Sequence, residues 1–399
     1  MSGASTAIRL NPFKGCDGPE GIPVPWSPYG RILETRPNFT LDPLFHAGCY
    51  YVQDSSAMYV GHLFRKYLHS VSGMMTPSAR GKGPGDDPQG ASHPGIAPPT
   101  AGASVIPSEA KGSQKLRVLD LCAAPGGKTT DIATSLREAL GDAFELTANE
   151  VIRKRAEILA DNVGVWGDPN VVVTSVDPAV IGRSLPGYYD VIVADVPCSG
   201  EGMFRKDARA EQMWSSQLVE ACAARQRRIL ADVWPALREG GLLIYSTCTY
   251  ETAENDDNLQ WAASELGGEI IAPEDEFPQY GLRLTRDGTL LRAGEVPGEG
   301  QWAGALRKTV SAQSGRASGP AVLHPLESRI QLFDDATPSV ELDLQQALKY
   351  LHRDALFLPE APLGMLVVRY RSHPLGFVKN LGSRCNNLYP KGRRILMDV

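Results

Sequence analysis

Residues 116–130 read LRVLDLCAAPGGKTT, and they predict a strand that turns through two glycines into a helix. The run 116–121 is rich in leucine and valine, as in a buried strand, and 129–140 has the apolar spacing of a helix. Gly126 and Gly127 let the backbone approach a ligand closely and leave the N–H groups of the helix start available to it. The stretch therefore predicts a ligand-binding turn at the carboxyl end of a strand.

The alternation of strands and helices continues downstream. We predict further strands at 145–149, 171–175, 190–194 and 242–246, with helices at 152–163, near 213–237 and near 253–266. Such alternation is typical of a mostly parallel sheet covered by helices on both faces. The expected fold class is α/β, doubly wound and Rossmann-like, with ligands bound beyond the carboxyl ends of the strands.

Two stretches rich in Gly, Pro, Ser and Ala, 73–113 and 311–320, interrupt a chain of 399 residues. They have no helical or strand period, which is typical of linkers. We therefore expect four parts. These are an N-terminal segment at 1–71 that packs on the core, a flexible linker at 72–115, an α/β domain at 116–310 and a C-terminal domain at 320–399.

Composition narrows the class of protein. Hydrophobic residues make up 42 % and charged residues 22 %, as in soluble globular proteins. No apolar run approaches the ~20 residues needed to cross a bilayer, so we expect a cytoplasmic protein with no membrane partner. The net charge of −6 gives no global reason for nucleic-acid binding, which must then come from local patches.

The number and spacing of the cysteines argue against stabilisation by disulfides or by structural zinc. The chain has seven cysteines, an odd number, scattered and without a C-x-x-C pair. This pattern predicts neither a disulfide framework nor a structural zinc site, and we expect no metal.

Acidic residues follow the next two predicted strands. Glu150 stands after the second strand, where doubly wound folds place an acid that accepts hydrogen bonds from a ribose. Asp177 follows the third strand. With the glycine turn, they favour an adenosine-containing ligand, although acids at such places also serve as helix N-terminal charges. A phosphate-binding loop is the rival interpretation of residues 122–129, but Cys122 occupies the position of its first glycine.

Two cysteines follow the fourth and fifth strands. Cys198 lies in DVPCSGEGMFRKD (195–207) and Cys248 in STCTY (246–250). Neighbouring strands lie ~4.8 Å apart, so both thiols would face one crevice unless they are merely small core residues. A thiolate that adds to C6 of a pyrimidine makes C5 nucleophilic toward a methyl sulfonium. Asp195 would hold the exocyclic amine and ring nitrogen of a flipped cytosine, and Lys128 would stabilise charge at the ring oxygen.

Three blocks together resemble a known family. CAAPGGKTT (122–130), DVPCSGEGMFRKD (195–207) and STCTYETAEND (246–256) are similar to the signature blocks of the Nop/Sun family of S-adenosylmethionine-dependent RNA (cytosine-5) methyltransferases. The similarity is close to its bacterial members of the ribosomal small-subunit RNA methyltransferase F type. It runs from about Phe45, in FHAGCYYVQDSSAM, to the C-terminus.

The resemblance implies a class I methyltransferase fold at 116–310, a small β-rich C-terminal domain of the PUA type at 320–399, and S-adenosyl-L-methionine as cofactor. It further implies that Glu150 holds the ribose hydroxyls, that Asp177 lies by the adenine and that Asp195 sits between donor and base. The loop implied to line the donor consists of Cys122, Ala123, Ala124, Pro125, Gly126, Gly127 and Lys128.

The resemblance also implies roles for the two thiols. Cys248 would be the nucleophile and Cys198 would assist product release. DNA cytosine methyltransferases use the thiol after proline as nucleophile, so swapped roles are the mechanistic alternative. The implied function is methylation of cytosine C5 in RNA, with 16S ribosomal RNA favoured and no obligate protein partner. The alternatives are the same chemistry on transfer RNA, a P-loop nucleotidase, or a catalytically silent RNA-binding or ribosome-assembly factor.

The basic segment 369–394 is the candidate RNA contact. It contains seven Lys or Arg residues and no Asp or Glu, and Tyr370, Phe377 and Tyr389 are interleaved for base stacking. Residues 374–394, PLGFVKNLGSRCNNLYPKGRR, resemble the family's PUA-type domain. The candidate RNA-binding residues are Arg369, Arg371, Lys379, Arg384, Lys391, Arg393 and Arg394. Another basic cluster, Arg225, Arg227 and Arg228, is interpreted as a solvated helix face.

Two departures from the family pattern concern substrate placement. Only some 44 residues precede the first family-like segment, so an accessory RNA-contacting subdomain is expected to be reduced. In addition, Gln301 stands where the family has an aromatic residue, in the segment Pro297–Trp302.

Overall fold

The computed structural model describes residues 5–72, 115–205, 208–309, 323–331, 333–334 and 336–397. The predicted linker at 72–115 lies outside these ranges except for its two end residues, as does the second break at 311–320. Within the described ranges, no helix has both the length and the apolar character that crossing a membrane requires.

The N-terminal part of the chain forms a small antiparallel sheet followed by a helix. The sheet has the order β2-β3-β1-β4. Its elements are β1 (Thr6–Leu10), β2 (Ile22–Pro23), β3 (Gly30–Leu33), α1 (Pro43–His46) and β4 (Tyr50–Val52), and α2 (Met58–Ser72) follows. Asp42 caps α1, because its carboxylate accepts a hydrogen bond from the backbone N–H of Leu44 at 2.9 Å.

A mixed sheet with four parallel and four antiparallel strand pairs forms the centre of the described part of the molecule, where the sequence predicted a mostly parallel one. Its strands are β5 (Leu116–Asp120), β6 (Phe144–Asn149), β7 (Val171–Thr174), β8 (Tyr189–Asp195), β9 (Leu237–Thr247), β10 (Gly268–Ile271), β11 (Arg283–Leu284), β12 (Gly288–Leu291) and β13 (Gln301–Lys308). The order is β11-β12-β13-β9-β8-β5-β6-β7, and β10 pairs with β13. Strands β5 to β9 are parallel, whereas β13 runs antiparallel to β9. The doubly wound α/β prediction is confirmed.

Helices cover both faces of this sheet because successive side chains of a buried strand point to opposite sides. The helices are α3 (Gly127–Leu140), α4 (Arg153–Trp166), α5 (Pro178–Ser184), α6 (Ala208–Met213), α7 (Ser216–Val233) and α8 (Asp256–Leu266). Along β5, Val118 joins the core that contains α2 and α3, and Leu119 joins the opposite core with Leu230 of α7.

The C-terminal part forms a third sheet. Its elements are β14 (Ser339–Glu341), α9 (Leu344–His352), β15 (Gly364–Tyr370), β16 (His373–Asn380) and β17 (Cys385–Asn387), with the strands in chain order. Asp343 and Gln346 form a capping box at the start of α9. The N-terminal and C-terminal sheets share one hydrophobic core, in which Ile8 and Tyr50 lie with Tyr350 and Leu366.

Two predicted elements differ from the observed bounds by more than three residues. The helix predicted near 213–237 spans Ser216–Val233, because Ser215 caps its start and Pro235 follows its end. The last predicted strand, 242–246, begins earlier and spans Leu237–Thr247.

No disulfide framework was expected, but Cys16 and Cys49 form one disulfide with their Cα atoms 5.6 Å apart. Thirty-three positions separate them in the chain. Strands β1 and β4 pair antiparallel with Leu10 opposite Tyr50, so the loop after β1 returns to the residue before β4. Cysteine spacing alone does not reveal this pairing.

Candidate functional site

The candidate site lies at the carboxyl ends of β5, β6, β8 and β9. Asp195, the last residue of β8, is paired in register with Ser246 of β9. The loops that leave these strands therefore meet at one edge of the sheet, which is where parallel α/β sheets bind ligands.

The turn after β5 is held from outside by the N-terminal sheet and α4. The hydroxyl of Tyr51 and the side-chain amide of Asn162 donate to the carbonyl oxygen of Pro125 at 3.1 and 2.7 Å. Gly126 adopts φ 116°, a conformation that favours glycine, and a Cβ there would lie 3.2 Å from Cδ1 of Leu159. The start of α3 is thus presented as a preorganised cradle.

Buried carboxylates stand at the ends of β5 and β6. The Oδ2 atom of Asp120 accepts from the hydroxyl of Thr129 at 2.6 Å, whereas its Oδ1 has no partner. Burial raises the pKa of Asp120 to about 7. Glu150 accepts from the backbone N–H of Ile152 at 3.0 Å, and its Oε2 lies 3.1 Å from the guanidinium of Arg155.

These groups fit a nucleoside-containing donor. The unpartnered oxygen of Asp120 is a buried acceptor, and buried acceptors require a donor such as a hydroxyl or an ammonium group. Cys122 is partly exposed in the same turn, and burial raises the pKa of its thiol. The residues present therefore fit a donor that carries hydroxyl and ammonium groups, as S-adenosylmethionine does.

Asn149 is a positioning residue that the sequence analysis missed. It is fully buried at the end of β6, accepts from the hydroxyl of Thr174 at 2.8 Å and from the backbone N–H of Val176 at 3.0 Å. Its amide donates to the carbonyl oxygens of Leu121 and Val176. One side chain thus ties together the ends of β5, β6 and β7, but a buried asparagine at a strand end has no distinctive sequence signal.

Asp177 lies at the same edge but is exposed and caps α5. Its carboxylate accepts from the backbone N–H of Ala179 at 2.8 Å. This contact is the helix N-terminal role that was the alternative to ligand binding.

Asp195 is held by side chains from three elements. Its Oδ2 atom pairs with Nζ of Lys128 at 2.8 Å, and its Oδ1 accepts from the hydroxyl of Ser246 at 2.7 Å. The amide of Gln301 also donates to Oδ1, at 3.1 Å. Burial acts to lower the pKa of Lys128, but the carboxylate of Asp195 outweighs it and the pKa is raised.

The two thiols meet in front of this ion pair. The Sγ atoms of Cys198 and Cys248 lie 3.1 Å apart, and both cysteines are partly exposed. A hydrogen bond from Cys198 lowers the pKa of Cys248, against the effect of burial, and Lys128 contributes in the same direction. The same hydrogen bond, together with burial, raises the pKa of Cys198. The arrangement favours a thiolate at Cys248 and a thiol at Cys198.

Buried polar side chains fix the loop that carries Cys198. The carboxylate of Glu254 accepts from the backbone N–H of Ser199 at 3.1 Å and from the amide of Gln226 at 2.7 Å. Gln226 also donates to the carbonyl oxygen of Pro197. The backbone on either side of Cys198 is therefore anchored to α7 and to the segment before α8.

A second acid, Glu201, ties this loop to the one that carries Cys248. It accepts from the hydroxyl of Thr249 at 2.7 Å and from the backbone N–H of Tyr250 at 2.6 Å. The N–H of Gly202 donates to the carbonyl oxygen of Cys248 itself at 2.8 Å. Glu201 and Glu254 belong to the motifs 195–207 and 246–256, but the motifs alone do not indicate these contacts.

The basic C-terminal segment is only partly free to contact RNA. Arg371, Lys379, Arg384, Lys391 and Arg394 are exposed, and Arg369 is partly exposed. Arg393 instead pairs with Asp161 of α4 at 3.0 Å. The prediction that Tyr389 stacks on bases is wrong, because this side chain is 3 % exposed and packs against Tyr350. The ring of Phe377 already stacks on Phe333.

A cluster of potential metal ligands lies away from this site, at the junction of the N-terminal and C-terminal sheets. The Sγ atoms of Cys16 and Cys49 and one ring nitrogen of His373 all lie within 4.8 Å of one another. The cluster has no local sequence signal and was not predicted, because His373 is more than 300 positions away from the two cysteines.

Family comparisons cover all three parts of the chain. The model of the family described as 16S rRNA methyltransferase RsmB/F matches residues 110–266. The N-terminal domain of 16S rRNA methyltransferase RsmF matches residues 2–55, and the methyltransferase RsmF PUA domain matches residues 337–395. The expectation that family similarity begins near Phe45 is therefore wrong, since the N-terminal match starts at residue 2.

Curated relatives carry the same family name. Ribosomal RNA small subunit methyltransferase F of Cronobacter sakazakii is 36 % identical over 253 residues, which are 61 % of this chain and 52 % of that protein. The protein of that name from Serratia proteamaculans is 30 % identical over 352 residues, 69 % of this chain and 73 % of that protein. The chain thus spans about half the length of the first of these relatives.

A solved structure supports the fold. A methyltransferase homologue protein from Pyrococcus horikoshii superposes with a TM-score of 0.54 at 23 % identity, covering 76 % of this chain and 87 % of that one. The shared fold is the Rossmann-type methyltransferase fold. From its family matches and from its likeness to the Serratia protein, the chain belongs to the RsmB/F family of 16S rRNA methyltransferases.

Proposed function

We propose that this chain transfers a methyl group from S-adenosylmethionine to C5 of a cytosine in 16S ribosomal RNA, through a covalent bond between Cys248 and C6 of the base. The observation that carries the proposal is the 3.1 Å separation of the Cys198 and Cys248 thiols beside the Lys128–Asp195 pair. A methyltransferase that acts on a nitrogen or a hydroxyl needs no such thiol pair, whereas pyrimidine C5 is unreactive until a nucleophile adds at C6.

The donor side of the proposal rests on the turn after β5. S-adenosylmethionine supplies an electrophilic methyl group on a sulfonium when it is bound. The glycine turn at 126–127 would lie against it, Asp120 and Glu150 would accept hydrogen bonds from its polar groups, and the partly exposed Cys122 would line its pocket. Asp177, exposed at the N-terminus of α5, would approach the adenine from the outer side.

The base side of the proposal rests on Asp195 and Cys248. The carboxylate of Asp195 would accept from the exocyclic amine of cytosine, and the ammonium of Lys128 would stabilise negative charge on the ring oxygen. The thiolate of Cys248 then forms the C6–S bond while the displaced electron pair moves toward C5 and the ring carbonyl. The target base must leave its stack to reach these groups, which costs least in looped or single-stranded RNA.

Release of product requires two further bond changes. After C5 gains the methyl group, its remaining proton must leave and the C6–S bond must break to restore the aromatic ring. The electron pair of the C5–H bond would expel the Cys248 thiolate from C6 while the proton passes to solvent. The thiol of Cys198 would donate a hydrogen bond to the departing sulfur, which it contacts. Glu254 and Gln226 would keep its loop in position throughout.

Ribosomal RNA as substrate rests on the names of the relatives and on the exposed basic residues of the C-terminal segment. This substrate would place the protein in the cytoplasm. The RNA-contacting set we propose is Arg369, Arg371, Lys379, Arg384, Lys391 and Arg394, with Arg393 assigned to its ion pair with Asp161. Five of the six proposed contacts are exposed, Arg369 being partly so, and each is able to release one counterion from RNA on binding.

Trapping the covalent intermediate tests the chemistry. The Cys198→Ala variant, incubated with S-adenosylmethionine and unmethylated 16S ribosomal RNA, should accumulate a protein–RNA adduct that survives a denaturing gel. Cys248→Ala and the double variant should form none. Cys222→Ala is the matched control, because Cys222 is a buried cysteine in α7 outside the site. An adduct in Cys248→Ala would instead assign the nucleophile to Cys198.

Bisulfite sequencing tests the substrate. Total RNA from a strain that lacks this chain should be compared with RNA from the strain complemented by the wild type or by Cys248→Ala. Loss of a 5-methylcytosine from 16S ribosomal RNA, restored only by the wild type, is the expected result. Loss of a 5-methylcytosine from transfer RNA would show that transfer RNA is the substrate. If no 5-methylcytosine is lost from any RNA, a catalytically silent assembly factor would be favoured.

A further inference from the structure

The cluster of Cys16, Cys49 and His373 joins two parts of the chain. Cys16 and Cys49 belong to the N-terminal sheet region, and His373 is the first residue of β16 in the C-terminal sheet. The Sγ atom of Cys16 lies 3.4 Å from Nδ1 of His373, and the three ligand atoms lie within 4.8 Å of one another. Cys49 is fully buried, whereas Cys16 and His373 are partly exposed.

A purely structural disulfide is a poor account of this cluster. Modification of ribosomal RNA takes place in the cytoplasm, where thiols are kept reduced and paired cysteines more often bind metals or sense oxidants. This step rests on the proposed function. A disulfide alone also gives no role to the imidazole that lies against one of its sulfurs.

We propose that, in the reduced protein, Cys16, Cys49 and His373 bind one Zn²⁺ ion. Two thiolates and one neutral imidazole are a typical zinc donor set, and their combined charge of about −2 neutralises the ion. Water completes the tetrahedron from the partly exposed side of the cluster. The bonded Cys16–Cys49 pair is the oxidised form of the same site, from which zinc has left.

The two forms interconvert through a balanced two-electron step. Hydrogen peroxide takes two electrons from the two thiolates and two protons from water, and it leaves as two water molecules. The sulfurs join as the disulfide, Zn²⁺ is released, and the imidazole of His373 becomes free. Thiol reductants return the pair to the zinc-binding state.

Zinc at this place would fasten the N-terminal sheet to the C-terminal sheet. The neighbouring contacts are already interdomain, since Ala47 and Cys49 share a hydrophobic core with Tyr350 and Val378. Bonds to the ion would therefore add to an existing interface rather than create one. Oxidation would leave the apolar contacts in place but remove the link through His373.

Zinc titration of the reduced full-length chain tests the proposal. The chain should carry Cys198→Ser and Cys248→Ser, so that the thiols of the candidate active site do not compete for metal. Competition with a chromogenic chelator should show one zinc ion per chain. Each of Cys16→Ser, Cys49→Ser and His373→Asn should weaken zinc binding by more than about tenfold. Bound Co²⁺ should show a thiolate charge-transfer band that Cys16→Ser weakens and that the double variant Cys16→Ser, Cys49→Ser removes.

Matched controls separate this site from other thiols and imidazoles. Cys222→Ser and His324→Asn should bind zinc like the parent. If the buried Cys49→Ser variant fails to fold, the partly exposed Cys16 and His373 variants still decide the result. Absence of zinc binding, or binding that His373→Asn leaves unchanged, would overturn the proposal.

Peroxide treatment tests the link between the two forms. One zinc ion should be released for each Cys16–Cys49 disulfide found by peptide mass spectrometry. Disulfide formation with zinc retained would overturn the proposal. None of these readouts involves methyl transfer, so failure here leaves the proposed function standing, and failure of the adduct experiment leaves zinc binding to be measured.

Discussion

The side-chain amide of Gln301 donates to Oδ1 of Asp195 at 3.1 Å and to the carbonyl oxygen of Thr247 at 2.9 Å. Gln301 begins β13, the antiparallel neighbour of β9, and it is 2 % exposed. This position is the one where the sequence departs from the aromatic residue of the family pattern. In this chain the departure supplies a hydrogen-bond donor to the carboxylate that we assign to the target base.

Replacing this donor should slow the chemical step. Gln301→Leu is expected to lower kcat by roughly ten- to a hundredfold, because a hydrogen bond to a charged group is worth about 1.5–3 kcal/mol. KM for S-adenosylmethionine should change little, since Gln301 does not contact the turn after β5. Initial rates of methyl incorporation into RNA provide the measurement. Gln260→Leu, which removes a contact to Asp287 instead, is the control, and an unchanged kcat in Gln301→Leu would contradict the assignment.

The pH dependence of adduct formation should report the thiol pair. Cys198 lowers the pKa of Cys248. The single-turnover rate of adduct formation should therefore rise with pH, and the rising limb of this pH profile should have its midpoint below the ordinary thiol pKa of 9.0. Cys198→Ala removes the donor that stabilises the thiolate, so the pKa rises and the limb moves to higher pH. A limb at the same pH in both proteins would show that Cys198 does not tune the nucleophile.

Asp120 should make folding stability depend on pH. Its pKa is raised from 3.8 to about 7 by burial, so the folded protein binds this proton more tightly than the unfolded chain. The protonated Asp120 therefore contributes fully to the free energy of unfolding below the pKa of the unfolded chain. This contribution is lost as pH rises toward 7, at a rate of at most about 1.4 kcal/mol per pH unit.

The Asp120→Asn variant isolates this contribution. Its free energy of unfolding, relative to the wild type, should increase between about pH 4 and pH 7 and level off above. Urea unfolding at several pH values measures the difference, and the titration of all other groups cancels in the comparison. A difference that does not vary with pH would mean that Asp120 is not protonated in the folded protein.

Arg9 should stabilise the turn after β5, to which we assign the binding of S-adenosylmethionine. It is fully buried, donates to Gln53 at 2.9 Å and to the carbonyl oxygen of Gly127 at 3.2 Å, and lies 4.6 Å from the ring of Trp166. Arg9→Met should cost about 3 kcal/mol of unfolding free energy, as expected when a buried charge network loses a member.

The same substitution should weaken S-adenosylmethionine binding, because the carbonyl of Gly127 at the start of α3 is released. Calorimetric titration measures the affinity and chemical denaturation the stability. Arg31→Met, at a partly exposed position of β3, is the control and should change neither by much. Unaltered donor affinity in Arg9→Met would limit Arg9 to a structural role.

The basic segment should act through phosphate charge. The double variant Lys379→Ala, Arg384→Ala removes two exposed cations, so the slope of log K for RNA binding against log salt should fall by about one per residue. Arg225→Ala, Arg228→Ala, on the exposed face of α7, is the control and should keep the wild-type slope. If both double variants show the same salt dependence of RNA binding, Lys379 and Arg384 do not contact RNA phosphates.

The sequence predicted the central sheet because its strands carry strong apolar runs and the order of such sheets follows a topological rule. That rule alone brings Cys198 and Cys248 to neighbouring strand ends. What it could not provide is which side chains hold the reacting groups. Gln301 reaches Asp195 across an antiparallel strand pairing that no local pattern encodes.

The N-terminal sheet escaped prediction for a different reason. Its strands are short, as with Ile22–Pro23 and Tyr50–Val52, and their apolar residues face a core that they share with distant parts of the chain. The prediction for Tyr389 failed for the same reason. An aromatic residue among lysines and arginines is typical of a base-stacking surface, and only the structure shows that Tyr389 packs against Tyr350. Local periodicity carries little information where the packing partner is remote.

The core shared by the first and last sheets constrains the order in which the chain matures. Ile8, Leu33 and Tyr50 pack with Leu366 and Ile395, so this core needs residues that are synthesised more than 300 positions apart. Until β15 has been synthesised, the part of the N-terminal sheet that packs in this core stays uncovered, whereas all buried residues of the α/β cores lie at or before Leu306. Resistance of this part of the N-terminal sheet to proteolysis is therefore expected only after the strands of the C-terminal sheet have been synthesised.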